Sequence, residues 1–255
     1  STKIFHSPTR HPSKVKNIEI KVVGVGGAGS NAVSRMAKSK IPNIDLIVIN
    51  TDFQDLKKSR AHFKLRIGKK LTRGLGAGMN PEIGRLAAEE QREEIVEILK
   101  DSDMVFITCG LGGGTGSGAS PVIAEISKNL GILTIAIVTT PFSFEGNQRL
   151  EIAKKSLERL KGKVDSLISI SNDRLLATLS PDISLSKAFW FGDEILRDAI
   201  QTISDLILVP GIINVDFASL KTVLKNSGTA LFGIAKAQGE KRAEEAALAA
   251  LGSPL

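Results

Sequence analysis

The chain has 255 residues, of which 42% are hydrophobic and 24% are charged, and its formal net charge is +7. These proportions are ordinary for a soluble globular protein, and no apolar run reaches the ~20 residues that a membrane-spanning helix needs. The single cysteine, Cys109, excludes an internal disulfide. Because the N-terminus also shows no signal-peptide pattern, we expect a cytoplasmic location.

The first 17 residues are basic, with Lys3, Arg10, Lys14 and Lys16 and no acid. Two prolines add to the expectation that residues 1–17 form a disordered basic arm. Such an arm fits a contact with an anionic surface, although a solvated tail is the commoner case. Its cations are not interleaved with stacking aromatics, so we expect no nucleic-acid partner.

A glycine-rich segment follows the first predicted strand, Ile18–Gly24. The glycines of 24–29 match G-x-G-x-x-G, and a helix is predicted from Ser30, which is typical of a dinucleotide site. Asp52 lies about 23 residues further on, where such a site places an acid against the ribose. An NAD-dependent oxidoreductase is therefore one interpretation, but it leaves a second glycine loop later in the chain unexplained.

The second predicted strand, Ile44–Asn50, leads to a helix at Phe53–Lys58, for which Asp52 suits the N-cap. The next loop, Leu71–Glu82, contains three glycines before a long helix predicted at 80–100. Such a mobile loop beside a helix N-terminus suits a switch that senses a terminal phosphate. A merely flexible connector is the alternative.

The densest run of glycines lies at 110–118, where six of nine residues are glycine. It follows a short apolar strand, 103–108, and precedes a helix predicted from Ala119 with Pro121 in its first turn. Glycines between a buried strand and a helix are typical of a phosphate cradle, because backbone N–H groups can close on the oxyanion. A tight structural turn is the alternative, and a Walker loop is excluded because no Lys-Ser/Thr pair follows.

Within this run, Gly112–Gly118 (GGGTGSG) resembles the signature loop of the tubulin/FtsZ superfamily, and the resemblance covers about residues 18–255. It implies an α/β fold with a Rossmann-like parallel sheet for a GTP-binding domain at 18–185. It implies GTP or GDP as ligand and Mg²⁺ held mainly by the phosphates, with no metal ligand assigned to the protein. It further implies a head-to-tail homopolymer that acts at the division site of bacterial cells. Other division proteins are implied as partners, without insertion into the membrane.

The resemblance also assigns nucleotide-binding residues, and it places Asn50–Asp52 near the phosphates and the Mg²⁺. The loop around Gly78 is expected to wrap the γ-phosphate. Before the signature loop, the expected GTP-binding residues are Gly26, Gly27, Ala28, Gly29, Ser30, Asn31, Asp52, Ala77, Gly78 and Met79. Within the signature loop they are Gly110, Gly112, Gly113, Gly114, Thr115 and Gly116.

Two predicted strands carry further site residues at their ends. The apolar strand Gly131–Val138 leads to Glu145 and Arg149, which the resemblance assigns to the ribose and the nucleotide. By spacing alone these two are an i,i+4 acid–base pair of the kind common on helix surfaces. After the strand Val164–Ile170, the resemblance assigns Asn172 to the guanine edge, and helix capping is the competing role.

A long helix is predicted at 186–208, because its apolar residues recur near helical spacing. The resemblance makes it the central helix that links two domains, with Phe189 stacking on the purine and Asp193 hydrogen-bonding to guanine. Phe189 alone fits ordinary core packing. Asp193 follows one turn later on the same face, which favours the paired role.

The segment Pro210–Ser219 resembles the loop that enters the next subunit's nucleotide site along a filament. Asn214 and Asp216 match the pattern Asn-x-Asp-x-x-Asp/Glu and are the predicted catalytic residues, acting on the neighbouring GTP. Ser219 stands where the last acid is expected, and losing a positioned acid or base typically costs about 10²–10⁴-fold in rate. We therefore predict weakened hydrolysis unless Asp216 suffices. A non-hydrolysing GTP-binding filament partner is the alternative.

A strand at Gly228–Ala235 and an alanine-rich helix at Glu240–Leu251 are predicted to end the chain. One strand with one or two helices cannot form the four-stranded second domain that the resemblance implies, since isolated strands are not stable. We therefore expect residues 209–255 to hold the interdigitating loop and an incomplete second α+β domain. The chain is then either a fragment of a longer product or a reduced protein.

Overall fold

A computed structural model describes residues 18–38, 44–179, 182–208, 216–233 and 235–252. In these residues one parallel sheet has the strand order β3-β2-β1-β4-β5-β6-β7. The strands are β1 (Ile20–Val25), β2 (Ile44–Asn50), β3 (Phe63–Arg66), β4 (Met104–Gly110), β5 (Leu133–Thr140), β6 (Ser166–Ser171) and β7 (Gly228–Thr229). The helices are α1 (Gly26–Met36), α2 (Phe53–Lys58), α3 (Pro81–Glu90), α4 (Arg92–Leu99), α5 (Gly114–Asn129), α6 (Asn147–Lys161), α7 (Asn172–Ala177), α8 (Leu185–Leu208), α9 (Phe217–Leu224) and α10 (Arg242–Leu251). The predicted Rossmann-like α/β fold is confirmed.

The sheet is buried on both faces, as its continuous apolar strands predict. Successive strand residues point to opposite faces, so Val23 and Val25 join a core with α3, α4, α5 and α6. Ile20 and Val22 face the other core, which α1, α2, α7 and α8 complete. The chain crosses between the two sides of the sheet beside β1 and β4, and a crevice opens there at the carboxyl ends of the strands.

Two helices begin earlier than their glycine content predicts. The first helix begins at Gly26 instead of Ser30, so the glycines of the first motif form its opening turn. The helix after the signature loop begins at Gly114 instead of Ala119, and Pro121 therefore lies inside it. The glycine runs are thus helix N-termini rather than loops that precede helices.

Close packing of α3 on α5 explains why glycines are tolerated in a helix despite their entropic cost. A Cβ on Gly118 would lie 1.9 Å from the carbonyl oxygen of Pro81, and one on Gly84 would lie 2.3 Å from that of Gly114. Only glycines let the two backbones approach this closely. Tertiary packing therefore overrides local helix propensity here.

Several boundaries differ from the predictions. The long helix predicted at 80–100 is two helices, α3 and α4, which meet at Gln91. The buried side chain of Gln91 accepts a hydrogen bond from the N–H of Gly68, which fixes the junction against the loop after β3. Strand β3 was not predicted, and β4, β5 and β6 extend one or two residues further toward their carboxyl ends than expected.

The long helix predicted at 186–208 is observed as α8, and the chain beyond it returns to the same sheet. Strand β7 pairs with β6 through Ser166↔Gly228 and Leu167↔Thr229, so the predicted strand Gly228–Ala235 is two residues long. The unpredicted α9 packs its apolar side chains against the core that contains α8. No helix in the described ranges is long and apolar enough to span a membrane. The predicted basic arm, 1–17, lies outside the described residues.

Candidate nucleotide site

A cavity of about 300 Å³ opens at the carboxyl ends of β1, β4, β5 and β6. Fourteen of the predicted GTP-binding residues line it, although they are spread over more than 160 positions of sequence. They are Gly26, Gly27, Ala28, Gly78, Gly110, Gly113, Gly114, Thr115, Gly116, Glu145, Arg149, Asn172, Phe189 and Asp193. Parallel strands bring these separate motifs together because their carboxyl ends share one edge of the sheet.

Helices α1 and α5 both direct their N-termini at this cavity. Neither has a side-chain cap, since Val25 and Gly113 offer no side-chain hydrogen bond to the first-turn amides. Side chains do cap α2, α3 and α7. First-turn amides without a side-chain cap and the positive ends of two helix dipoles therefore suit this end of the cavity to an anion.

The glycines of the two motifs are of two kinds: some have no room for a side chain, and others face open space. Gly26 has φ +69°, and a Cβ there would lie 3.0 Å from the backbone nitrogen of Gly116. A Cβ on Gly110 would lie 2.8 Å from the side chain of Ala28. A Cβ at Gly27 or Gly113 would meet nothing within 4 Å. The first pair of contacts brings the motifs together, and the open positions leave backbone accessible to a ligand.

The opposite end of the cavity contains an amide oxygen without a partner. Asn172 begins α7, but Ser171 caps that helix, so the capping role considered for Asn172 is not observed. The Oδ1 atom of Asn172 is buried and has no hydrogen-bond partner among the described residues. A Cβ on Gly192 would lie 3.3 Å from it. A buried unsatisfied acceptor is costly, and this one lines a cavity from which a ligand can donate to it.

Asp193 provides a second acceptor at this end. Its carboxylate lies 3.5 Å from Nη2 of Arg35, and the Arg35 guanidinium lies 5.1 Å from the centre of the Trp190 ring. Burial raises the pKa of Asp193 to about 6, against the lowering effects of Arg35 and of a hydrogen bond with Asn31. Asn31 does not line the cavity, but it supports the residue that does.

Phe189 is held in an aromatic cluster. Its ring packs edge-on against Phe142 and Phe144, with centroid distances of 5.2 Å and 6.2 Å. The two partners stack on each other at 4.8 Å. Phe189 nevertheless keeps 41% of its surface exposed where it lines the cavity. It is therefore a fixed ring with a face available to a flat ligand.

Glu145 and Arg149 form the ion pair that their spacing predicts, at 2.9 Å. The pair is not mere surface decoration, because the Glu145 side chain is only 10% exposed. Glu145 also accepts a hydrogen bond from the N–H of Phe142 at 2.9 Å, which anchors it beside the aromatic cluster. Both members of the pair line the cavity.

Seven of the predicted GTP-binding residues do not line the cavity, and the contacts of several explain why. Asp52 caps α2, with Oδ1 accepting from the N–H groups of Gln54 and Asp55. Ser30 donates its hydroxyl to the Gly26 carbonyl at 2.7 Å, which supports the first turn of α1. The seven are Gly29, Ser30, Asn31, Asp52, Ala77, Met79 and Gly112.

Two of the seven, Gly29 and Gly112, support the glycine-rich segments without lining the cavity. A Cβ on Gly29 would lie 2.5 Å from the Thr108 carbonyl oxygen, so α1 can approach β4 only with glycine there. Gly112 has φ +101°, and its N–H donates to the Ser117 hydroxyl at 2.9 Å. Residues 50–52 were expected near the phosphates. One contact agrees with this expectation, because the Thr51 hydroxyl lies 2.6 Å from the hydroxyl of Thr115, which lines the cavity.

Five lining residues were not predicted, namely Val25, Leu111, Thr139, Pro141 and Gly192. Val25 and Leu111 interrupt the glycine motifs and carry no chemical signal of their own. Thr139 and Pro141 follow the predicted strand 131–138, so the rule that ligands meet strand carboxyl ends could have identified them. Gly192 precedes Asp193 inside a long helix, where an isolated glycine indicates a close approach.

Of the two predicted catalytic residues, the structure describes only Asp216. Asn214 falls outside the described residues. Asp216 is exposed at the N-cap of α9, and its carboxylate accepts a hydrogen bond from the Ser219 N–H at 2.6 Å. Hydrogen bonds to Ser219 lower the pKa of Asp216, so the carboxylate is ionised at neutral pH. Asp216 does not line its own chain's cavity.

Comparison with known sequences identifies the family. The family model described as Tubulin/FtsZ family, GTPase domain, matches residues 19–180, which is more than half of the chain. The chain belongs to the tubulin/FtsZ family. The interpretation as an NAD-dependent oxidoreductase is therefore wrong, and the cavity belongs to a GTPase domain of a GTP-binding family.

Solved structures agree with this assignment. An FtsZ of M. jannaschii, solved as an empty dimer, is 50% identical with a TM-score of 0.91 over 95% of this chain and 70% of that one. A mutant FtsZ from M. jannaschii is 51% identical with a TM-score of 0.90, over 93% of this chain and 71% of that one. CetZ2 from Haloferax volcanii, solved as a GTPγS-bound protofilament, is 23% identical with a TM-score of 0.75, over 89% and 69% of the two chains. At that identity CetZ2 shows a shared fold alone.

Proposed function

We propose that this chain binds GTP in the cavity described above and polymerises head to tail, with GTP hydrolysed where one subunit meets the next. The proposal rests on one juxtaposition. Two uncapped, glycine-rich helix N-termini share a single cavity with a buried, unpartnered amide oxygen. The first feature suits phosphates and the second suits the hydrogen-bond donors of a purine base.

The phosphates are proposed to lie against the first turns of α1 and α5, where Gly27 and Gly113 leave the backbone open. The described residues contain no group of three or more His, Cys, Asp or Glu side chains able to hold a metal. The carboxylate Oδ1 of Asp52 already accepts from two backbone N–H groups. A Mg²⁺ ion bound with GTP would therefore take its ligands mainly from the phosphates and would neutralise their charge.

Guanine is the base that fits the other end. Its N1–H and 2-amino groups are donors on one edge, and Asn172 Oδ1 and the Asp193 carboxylate are both acceptors. Adenine presents an acceptor at N1 and would leave both protein acceptors without a full set of donors. Phe189 is proposed to stack on the purine, and Glu145 and Arg149 to contact the ribose and the nucleotide.

Hydrolysis is proposed to need a second subunit, because Asp216 does not line its own chain's cavity. The FtsZ of M. jannaschii solved as a dimer supports self-association. Head-to-tail contacts are heterologous and produce open filaments. Asp216 would orient the attacking water, and Asn214 is the second proposed catalytic residue. The Ser219 N–H bonds to the Asp216 carboxylate, so Ser219 both lacks the expected acid and restrains the acid that remains.

The test is GTP turnover by the full chain, with light scattering recorded on the same sample. We expect GTP-dependent scattering with slow phosphate release, and we expect Ser219→Asp to raise turnover by about tenfold or more. Thr222→Asp is the matched control, because it adds the same charge to the exposed surface of α9 one turn later. Equal rates in the two variants would contradict the assigned role of position 219.

A second candidate is a GTP-binding filament partner that does not hydrolyse its nucleotide. The serine at position 219 favours it, because a hydroxyl is a poor base near neutral pH. GTP binding with scattering but without phosphate release in the wild type would support this candidate. In either case a cell-division role in the cytoplasm at the division site, with other division proteins as partners, is proposed from the likeness to FtsZ.

A further inference from the structure

A dense patch of positive charge lies around the first edge of the sheet. Residues 57–73 contain eight Lys and Arg and no Asp or Glu, whereas the formal net charge of the whole chain is +7. All eight cations are exposed except Arg66, which is partly buried. Among the described residues, Lys69 forms an ion pair with Glu94 at 2.8 Å. Crowding so many like charges is unfavourable without a compensating partner.

This patch surrounds an open strand edge. Strand β3 is the last strand of the sheet and pairs with β2 on one side, and no other strand in the described ranges pairs with it. The N–H of Ile67 donates to the Asn50 carbonyl of β2. Because backbone groups alternate along a strand, those of Lys64 and Arg66 point away from β2. Two donors and two acceptors are therefore available to another strand.

A groove of about 610 Å³ runs beside this edge. Four cations line it, Lys57, Lys64, Arg66 and Lys69, with one acid, Glu94, which pairs with Lys69. The apolar lining residues are Phe53, Leu56 and Leu65. The Arg66 guanidinium lies 5.6 Å from the centre of the Phe53 ring, so the ring forms part of the groove wall. The groove thus combines an open backbone ladder, a positive lining and apolar surface.

We propose that this groove binds an extended acidic segment of another protein, which adds to β3 as an eighth strand. Residues of the incoming strand opposite Lys64 and Arg66 would be acidic, because cross-strand neighbours of opposite charge attract. Residues opposite Leu65 point to the other face and would be apolar, since Leu65 itself joins the core. The recognised pattern is therefore acidic and apolar residues in alternation, held by backbone hydrogen bonds.

Other occupants fit the observations less well. The chain's own first 17 residues are basic and contain no acid, so charge opposes their binding. A nucleic acid stacks successive bases on several rings, but Phe53 is the only aromatic among the described residues that line the groove, and the Arg66 guanidinium already lies over it. Lipid phosphates can accept from the two N–H groups at the β3 edge, but they offer no donor to its two carbonyls. Charged residues alone can protect a sheet edge from aggregation, but this role explains neither the groove nor eight cations.

The test uses the full chain and a fluorescein-labelled peptide of alternating glutamate and valine, with binding measured by fluorescence anisotropy at about 0.15 M ionic strength. We expect saturable binding that weakens about tenfold or more in Lys64→Glu/Arg66→Glu. Lys154→Glu/Lys155→Glu on α6 is the matched control, because both lysines are exposed and remote from the groove. GTP binding should stay unchanged in both double variants, since none of the four residues lines the nucleotide cavity.

A second peptide separates strand addition from simple charge attraction. The same sequence, N-methylated at every interior residue, keeps its charge but cannot donate backbone hydrogen bonds, and it should bind at least about fivefold more weakly. Equal binding of the two peptides would overturn the proposal. It would also be overturned by no binding of either peptide, or by tighter binding of a single-stranded oligonucleotide or phosphatidylglycerol vesicles. Because the readout is peptide binding, failure here is distinguishable from failure of GTP binding.

Discussion

The carboxyl group of Asp193 should make GTP affinity depend on pH. Burial raises its pKa from 3.8 to about 6, which outweighs the opposing effects of Arg35 and Asn31. In the proposed site the ionised carboxylate accepts hydrogen bonds from guanine, and a protonated carboxyl loses much of that capacity. GTP should therefore bind the ionised form, and affinity should fall as the pH is lowered through about 6.

The size of the effect follows from the ionised fraction. With a pKa of about 6, about nine-tenths of the nucleotide-free chains are ionised at pH 7 and about one-tenth at pH 5. If only the ionised form binds guanine, the Kd for GTP should rise about tenfold between these two pH values. The same pKa shift affects folding stability in the opposite direction, because its contribution to stability grows as the pH is lowered. The raised pKa favours the folded state below about pH 3.8, and that contribution is lost as the pH rises through about 6.

The assay is a titration with a fluorescent GTP analogue across this pH range, in parallel for the wild type and Asp193→Asn. The asparagine variant cannot titrate at this position, so its pH dependence reports every other group, including the terminal phosphate. We expect the wild type to lose about tenfold more affinity than the variant on acidification. Parallel curves for the two proteins would refute the role of Asp193 in reading guanine. Circular dichroism at each pH checks that both remain folded.

Three other changes test separate parts of the structure. Gly118→Ala should destabilise the chain by about 1–3 kcal/mol or more, because the new methyl would meet the backbone of α3. Gly162→Ala, where a Cβ meets nothing within 4 Å, is the control in thermal unfolding. Asn172→Ala should reduce the preference for GTP over inosine triphosphate, and an unchanged ratio in competition binding would contradict its assignment. Burial raises the pKa of Cys109 to about 12, so iodoacetamide should modify the thiol in urea but not in the native chain.

The fold could be predicted wherever local signals and packing agree. The apolar strand Ile44–Asn50 and the helix capped by Asp52 have the predicted bounds, because an apolar run and an N-cap residue mark them directly. Strand β3 was not predicted because its sequence, Phe-Lys-Leu-Arg, is short and half cationic. Helix α9 escaped because the resemblance assigned its first residues to a loop. Its N-cap residue, Asp216, was assigned a catalytic role and was not considered as a helix cap.

The candidate site could also be predicted only in part from the sequence. Motif residues such as Gly26 and Gly114 could be placed from sequence, because glycine next to a strand end marks a close approach of backbone. The division between lining and supporting residues could not. Ser30 and Gly112 belong to the same glycine-rich segments but do not line the cavity, because Ser30 donates to the Gly26 carbonyl and the Gly112 N–H donates to the Ser117 hydroxyl. The unpartnered oxygen of Asn172 is a property of its three-dimensional surroundings, which the residue type does not reveal.

Because the signature glycines lack side chains, their backbone can approach both a ligand and neighbouring segments of the chain. The N–H of Gly114 donates to the Gly78 carbonyl at 2.7 Å, which ties the 71–80 loop to the first turn of α5. An amide used in this bond cannot also bind a phosphate oxygen. A terminal phosphate at the α5 N-terminus would therefore compete with the loop for one donor. We therefore propose that the loop senses that phosphate through this exchange of hydrogen-bond partners.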